Sequence, residues 1–232
     1  MKLLALDTSS EGCSAALFVD GEVFEKFEIA PRGHTRLLMP MLRELLTEQA
    51  LKPTDLDALA FARGPGSFTG VRIATGVVQG LAWGLDLPVV PVSSLETVAL
   101  GAIETLQVKE GEGIAVAFDA RMSELYWGCF QNSSGLPELI GEERVCAPSR
   151  VALETDVKKW VGAGHGWAFR ETMPTDVSGR INSVDEAMIP RASWVARLAV
   201  AKFDQGLAVP AEQAQPVYIR DEVTWKKLPG RE

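Results

Sequence analysis

Short apolar runs separated by polar turns dominate the first thirty residues. Residues 2–7 read KLLALD, 13–19 read CSAALFV, and 22–29 read EVFEKFEI, with apolar residues at alternate places. The first two runs have the pattern of buried strands, and the third that of a strand with one wet face. Asp20-Gly21, between the second and third, is the dipeptide that best accepts the positive φ angles of a two-residue hairpin. Beyond Gly33 the period lengthens. HTRLLMPMLRELLTEQA (34–50) is helical in composition, with Pro40 either following a short first turn or kinking the helix. DALAFAR (57–63) then predicts a buried strand, residues 69–84 a helix and PVVPV (88–92) another strand. A hairpin followed by alternating strands and helices predicts a mixed sheet whose parallel neighbours are joined by helical crossovers.

The next predicted helix starts at Ser93, where Ser93 and Glu96 have the spacing of a capping box, and fades by Lys109. The charged, glycine-containing KEGEG (109–113) marks the best boundary between two units. Beyond it IAVAFDA, ELYWGCF, the turn NSSG and the strand-closing VGAGHGW make a looser echo of the first half. Ser183 and Glu186 offer a second capping box ahead of PRASWVARLAVAKFDQ. Pro190 suits the first turn of that helix and Gly206 its left-handed end.

The 232 residues are 47% hydrophobic and 23% charged, enough for one large or two small domains without staples. No apolar run approaches the roughly 18 residues of a membrane-spanning helix, and polar residues follow the apolar start at 1–6 too soon for a secretory signal, so a cytoplasmic location is expected. Cys13, Cys129 and Cys146 have neither disulfide nor metal spacing and are expected as buried thiols. A net charge of −8 repels a polyanion, so contact with tRNA or DNA is expected only through a basic partner. Arg220, Lys226, Lys227 and Arg231 are interleaved with Asp221 and Glu222 and read as a solvated tail.

Candidate chemistry is sparse. Asp7, Thr8 and Ser9, with Ser10, close the first strand, where a carboxylate and small hydroxyls can hold a phosphate and its Mg²⁺ or simply cap a turn. RGPGSFTGVR (63–72) lacks the lysine of a phosphate-binding P-loop, and Ser67 lacks a nucleophile-elbow frame. His34 and His165 have no metal-spaced companions, G-x-G-x-G at 162–166 is explained by a turn, and Asp119 with Arg121 reads as an ion pair or hairpin. The helices are more informative. Gly76, Gly80 and Gly84 recur every fourth residue on one face, and each interior glycine costs about 1 kcal/mol relative to alanine. In the preceding helix Leu37, Leu38, Met39, Met41, Leu42, Leu45 and Leu46 cover roughly 200° of the wheel, about twice what one core needs. Either that helix lies between two layers of its own domain, or half of it meets a partner.

The segments LALDTSSEGCSAAL, GHTRLLMPML, RGPGSFTGVRIATGVVQGLAWG, PVVPVSSLE, FDARMSELYWG and PVYIRDEVTW together resemble the bacterial TsaB (YeaZ) family nearly end to end. The resemblance implies an α/β, actin-like (ASKHA) two-lobed fold with ribonuclease-H-like mixed sheets. The expected lobes are residues 1–107, completed by part of 190–232, and a smaller lobe of residues 108–189. It also implies work with the paralogue TsaD, which carries the transferase chemistry, and the ATPase TsaE in making N6-threonylcarbamoyladenosine in tRNA. The chain itself is expected as a non-catalytic scaffold without cofactor or metal, because Ser94 and Val98 stand where the paralogue has its H-x-x-x-H motif. The alternatives are an ATP-binding kinase or ATPase of the same superfamily and, with neither nucleophile and base nor metal cluster in view, a peptidase. Leu37, Leu38, Met41 and Leu45 of the first helix, with Val71, Ile73, Ala74, Gly76, Val77 and Gly80 of the second, are then expected to form a four-helix bundle with a second copy or with the paralogue.

Overall fold

The computed structural model describes residues 1–153 and 157–220. Its elements run β1 (Lys2–Asp7), β2 (Gly12–Val19), β3 (Glu22–Ile29), α1 (His34–Glu48), β4 (Ala58–Ala62), α2 (Phe68–Leu85), β5 (Val89–Val92), α3 (Ser94–Thr105), β6 (Gly113–Arg121), β7 (Glu124–Ser133), β8 (Leu136–Cys146), β9 (Trp160–Ala163), α4 (Thr175–Ser178), β10 (Ile181–Asp185) and α5 (Ala192–Asp204). Among the described residues no helix is long and apolar enough to cross a membrane.

Two five-stranded mixed sheets organise the chain, ordered β3-β2-β1-β4-β5 and β10-β9-β6-β7-β8. In the first, β1 pairs antiparallel with β2 and parallel with β4, and β4 pairs parallel with β5. Asp20 and Gly21 both take positive φ at the β2–β3 turn, as their identities predict. Period-two alternation explains the layers. Leu4 and Leu6 point into a core with α1 and α2, while Leu3 and Ala5 point into a core with α5 on the opposite face. In the second sheet Ile114 and Val116 of β6 pack against α3, and Ala115 and Ala117 face Trp127, Trp160 and Trp167.

The two sheets therefore exchange their helices relative to chain order. Although α3 precedes the KEGEG boundary, it covers the second sheet, and α5 returns from beyond the second sheet to cover the first. The helices meet where Gly101 of α3 lies against Trp194 of α5, so closely that a β-carbon would stand 2.6 Å from the indole. Lys202–Glu96 (2.9 Å) and Arg197–Glu104 (2.6 Å) join the same pair.

Two capping expectations are corrected. Ser93 caps α3, its Oγ accepting from the amides of Leu95 and Glu96, but the Glu96 carboxylate bonds Lys202 instead of closing a reciprocal box. Ser183 lies within β10, where parallel pairing with β9 overrides the local helix signal. The last helix starts at Ala192, beyond Pro190, and ends as expected with Gly206 at positive φ. Lys226, Lys227 and Arg231 lie outside the described residues.

The glycine-rich turn between β4 and α2 presses against the end of β1. A β-carbon on Gly70 would overlap the Thr8 carbonyl oxygen, and one on Gly66 would overlap that of Ser9. Gly76, Gly80 and Gly84 differ: among the described residues nothing beyond the helix's own backbone and the chain neighbours lies within 4 Å of a β-carbon built on any of them. Urea denaturation should separate the two sets. Gly70→Ala is expected to lower stability by at least about 2 kcal/mol, because backbone must move, whereas Gly76→Ala should raise it by up to about 1 kcal/mol.

Candidate functional site

The acidic turn and the glycine-rich turn, far apart in sequence, form one structure. Ser67 N donates to the Ser9 carbonyl oxygen (2.7 Å), and Thr8 Oγ1 donates to the Gly70 carbonyl oxygen (2.7 Å). Ser67 caps α2, its Oγ accepting from Gly70 N. Ser9 donates to Asp7 through its amide (2.8 Å) and its hydroxyl (3.0 Å). Asp7, Thr8 and Ser9 are buried, so the turn presents its oxygens to its own neighbours and not to solvent. His34, at the start of α1, holds the adjoining loop, with Nε2 3.0 Å from the Ser10 carbonyl oxygen.

Burial drives the Asp7 carboxyl up to about 7 from an ordinary value near 3.8, outweighing the Ser9 hydrogen bonds that favour its charged form. A second ionisable cluster lies at the junction of the lobes. The β7–β8 register shifts at residues 141–143, the mark of a bulge that re-aims a side chain. Glu143 accepts a short hydrogen bond from Ser93 Oγ there. Burial raises this carboxyl too, with the Ser93 hydrogen bond and then Arg63 opposing the shift. Arg63, Ser93, Glu96, Glu143 and Lys202 line a cleft of about 710 Å³. On the far lobe His165 stacks on Phe118, with ring centroids 5.5 Å apart, and burial lowers its pKa.

The residues expected at a partner face divide. Leu38, Met41, Leu45, Val71 and Ala74 are buried within the chain and cannot supply an outer surface in this conformation. The wide apolar arc of α1 is spent largely within its own lobe, between the sheet and α2. Leu37, Ile73 and Val77 are half-buried, while Gly76 and Gly80 lie on the open side of α2. Two large side chains complete the outer strip of α2: Phe68 is 64% exposed and Trp83 73%. Helical spacing places Phe68, Arg72, Gly76, Gly80 and Gly84 in one row, so extending the glycine pattern towards the helix start locates Phe68. No local pattern marks Tyr218, whose ring centre lies 5.0 Å from the Arg72 guanidinium carbon, itself 3.4 Å from the Phe68 centre.

The raised Asp7 value fixes a sign for pH dependence. A carboxyl that holds its proton more tightly folded than unfolded leaves stability intact below the unfolded value, then erodes it as pH rises towards the folded value. Stability is expected to fall between about pH 4 and about pH 7, by at most about 4 kcal/mol from this group. In Asp7→Asn, chemical denaturation at a series of pH values should show that decline flattened.

The family model for TsaD, tRNA N6-adenosine threonylcarbamoyltransferase, matches residues 27–223. The chain is 42% identical to the tRNA threonylcarbamoyladenosine biosynthesis protein TsaB of Escherichia coli, across 100% of both chains. It is 39% identical to the protein of that name from Haemophilus influenzae, across 100% of this chain and 99% of the other. A solved structure, YeaZ from Pseudomonas aeruginosa, superposes with a TM-score of 0.88 at 46% identity, covering 94% of this chain and 99% of that one. The two mixed sheets, their exchanged helices and these full-length likenesses agree on an actin-like two-lobed fold, and the chain belongs to the TsaB (YeaZ) family.

Proposed function

We propose that this chain is a scaffold subunit in tRNA threonylcarbamoyladenosine biosynthesis, the process for which its relatives are named. In this reading a TsaD-type transferase docks on α2 and carries out transfer of the threonylcarbamoyl group to adenosine N6. A TsaE-type ATPase acts on the assembled pair, and tRNA is held mainly by the partners. The single observation that carries the proposal is the outer strip of α2. Three glycines whose added β-carbons would meet no atom beyond their own helix within 4 Å among the described residues, each costing helix stability, are accompanied on the strip by exposed Phe68 and Trp83. Such a strip lets a second helix backbone approach closely and gives aromatic anchors at both ends. The match to the transferase family model across residues 27–223 supports a fold-alike partner with a helix pair of the same kind. A second copy of this chain is then the competitor for the strip when the transferase is absent.

Chemistry is assigned to the partner because the positions where the family resemblance places its metal motif are core here. Ser94 and Val98 are fully buried in α3, and Val98 packs in one cluster with Ile114 and Phe130. Asp7, likewise, is committed to Ser9.

Purified subunits test this reading. Modification of unmodified tRNA should require the transferase, this chain and the ATPase together; activity with this chain alone would overturn it. Gly76→Leu, placed in open space, should keep the native melting transition while weakening association with the transferase at least about tenfold, read by titration calorimetry. Leu38→Asp would instead bury a charge in the core and unfold the lobe, so it reports on folding and not on docking.

A further inference from the structure

Residues 207–220 form a strap that touches both lobes at discrete points. Val209 exchanges two backbone hydrogen bonds with Val89 at the edge of the first sheet, both 2.8 Å. Gln79 of α2 donates to the Ala214 carbonyl oxygen (2.9 Å), and Val217 N donates to the Arg63 carbonyl oxygen (2.8 Å) at the start of the glycine-rich turn. Tyr218 then lies beside Phe68, with ring centres 5.7 Å apart, and near the Arg72 guanidinium. Immediately beyond, Arg220 reaches the second lobe, donating to the Ala120 carbonyl oxygen (3.1 Å), the Met122 sulfur (3.0 Å) and the Glu124 carboxylate (2.6 Å).

What Arg220 grips is unusual. Arg121, at the end of β6, and Met122 and Ser123, between β6 and β7, take φ values of 66°, 55° and 58°, successive non-glycine residues in the left-handed region. That conformation is disfavoured for residues bearing a β-carbon and persists where surrounding contacts determine it. Asp119 supplies one such contact, its Oδ1 accepting from Arg121 N (2.7 Å). The Arg220 guanidinium adds others, bonding the backbone just before the turn and side chains within and just after it. Arg220 is mostly buried, whereas Met122 stands 63% exposed at the tip.

We propose that the strap 214–220 couples the α2 face to the β6–β7 tip, with Arg220 as the positioning residue that sets the tip's left-handed conformation. Only Ile219 separates Tyr218, whose contacts lie on α2, from Arg220, whose contacts lie on the second lobe. Displacement of Phe68 or Arg72 therefore shifts the strap and, through it, the grip on the tip. The coupling is internal to the chain and goes beyond the proposed function: it holds whatever docks on α2.

Hydrogen exchange of the amides of residues 121–124 tests it, with the amides of residues 3–6 as the measure of global integrity. Arg220→Ala should speed exchange at the tip at least about tenfold while β1 is unchanged, and Arg220→Lys should restore part of the protection, because an ammonium can still reach Glu124. Tyr218→Ala, whose ring contacts lie on α2 and not at the tip, should speed tip exchange at least about threefold. Unchanged tip exchange in Arg220→Ala would overturn the positioning role. A tip that responds to Arg220→Ala but not to Tyr218→Ala would overturn the coupling, leaving an anchor that carries nothing from α2. Should Arg220→Ala also accelerate β1, the Tyr218→Ala and Arg220→Lys results decide alone, by the same criteria.

Discussion

The Thr8 and Ser9 carbonyl oxygens occupy the space that β-carbons of residues 70 and 66 would need. Much of the molecule follows from that approach. It seats the glycine-rich turn on the end of β1, with the Ser67 amide and the Thr8 hydroxyl as the polar ties. It starts α2 at Phe68 with a fixed direction, so that Ala74, Val78 and Ala82 enter the core and Gly76, Gly80 and Gly84 look outward. It also closes the acidic turn. A loop whose residue types suit phosphate is instead mated to a second loop of its own chain, and Asp7 is left buried with its proton held more tightly than usual.

The remaining architecture joins two such lobes without making them one sheet. The exchanged helices α3 and α5 supply the apolar seam, closed at Gly101 and Trp194, and ion pairs along it tie residues distant in sequence. Elsewhere the strap makes a polar connection through Arg220. A packed seam and a thin strap distribute constraint unequally, and the strap is the route by which the proposed coupling links α2 to the β6–β7 tip.

Legibility in the sequence depends on the range of the determining contact. The β2–β3 hairpin at Asp20-Gly21, the strand of residues 58–62 and the end of α5 at Gly206 are written in local residue types, and the structure has them as read. Ser183 has the look of a helix start because capping chemistry is local, while its pairing with β9 is not. The apolar arc of α1 is ambiguous on its own, since a helical wheel cannot distinguish a second layer of the same lobe from a partner, and most of the arc proves internal. In the glycine-rich stretch one pattern conceals two different causes. Gly66 and Gly70 answer to Thr8 and Ser9, far off in sequence, whereas β-carbons on Gly76, Gly80 and Gly84 would meet nothing beyond their own helix within 4 Å among the described residues. The Tyr218 and Arg220 contacts are invisible to local reading for the same reason: Arg220 meets Met122 across a separation of 98 residues.

In the proposed assembly the transferase sits on the outward strip of α2, and side-chain accessibility measures this directly. Hydroxyl-radical footprinting of the chain with and without the purified transferase should show Trp83 and Phe68 losing most of their reactivity on mixing, while Leu139 on the second sheet keeps its own. Undiminished reactivity of Trp83 and Phe68 in a complex shown to be formed would place the transferase elsewhere on the chain.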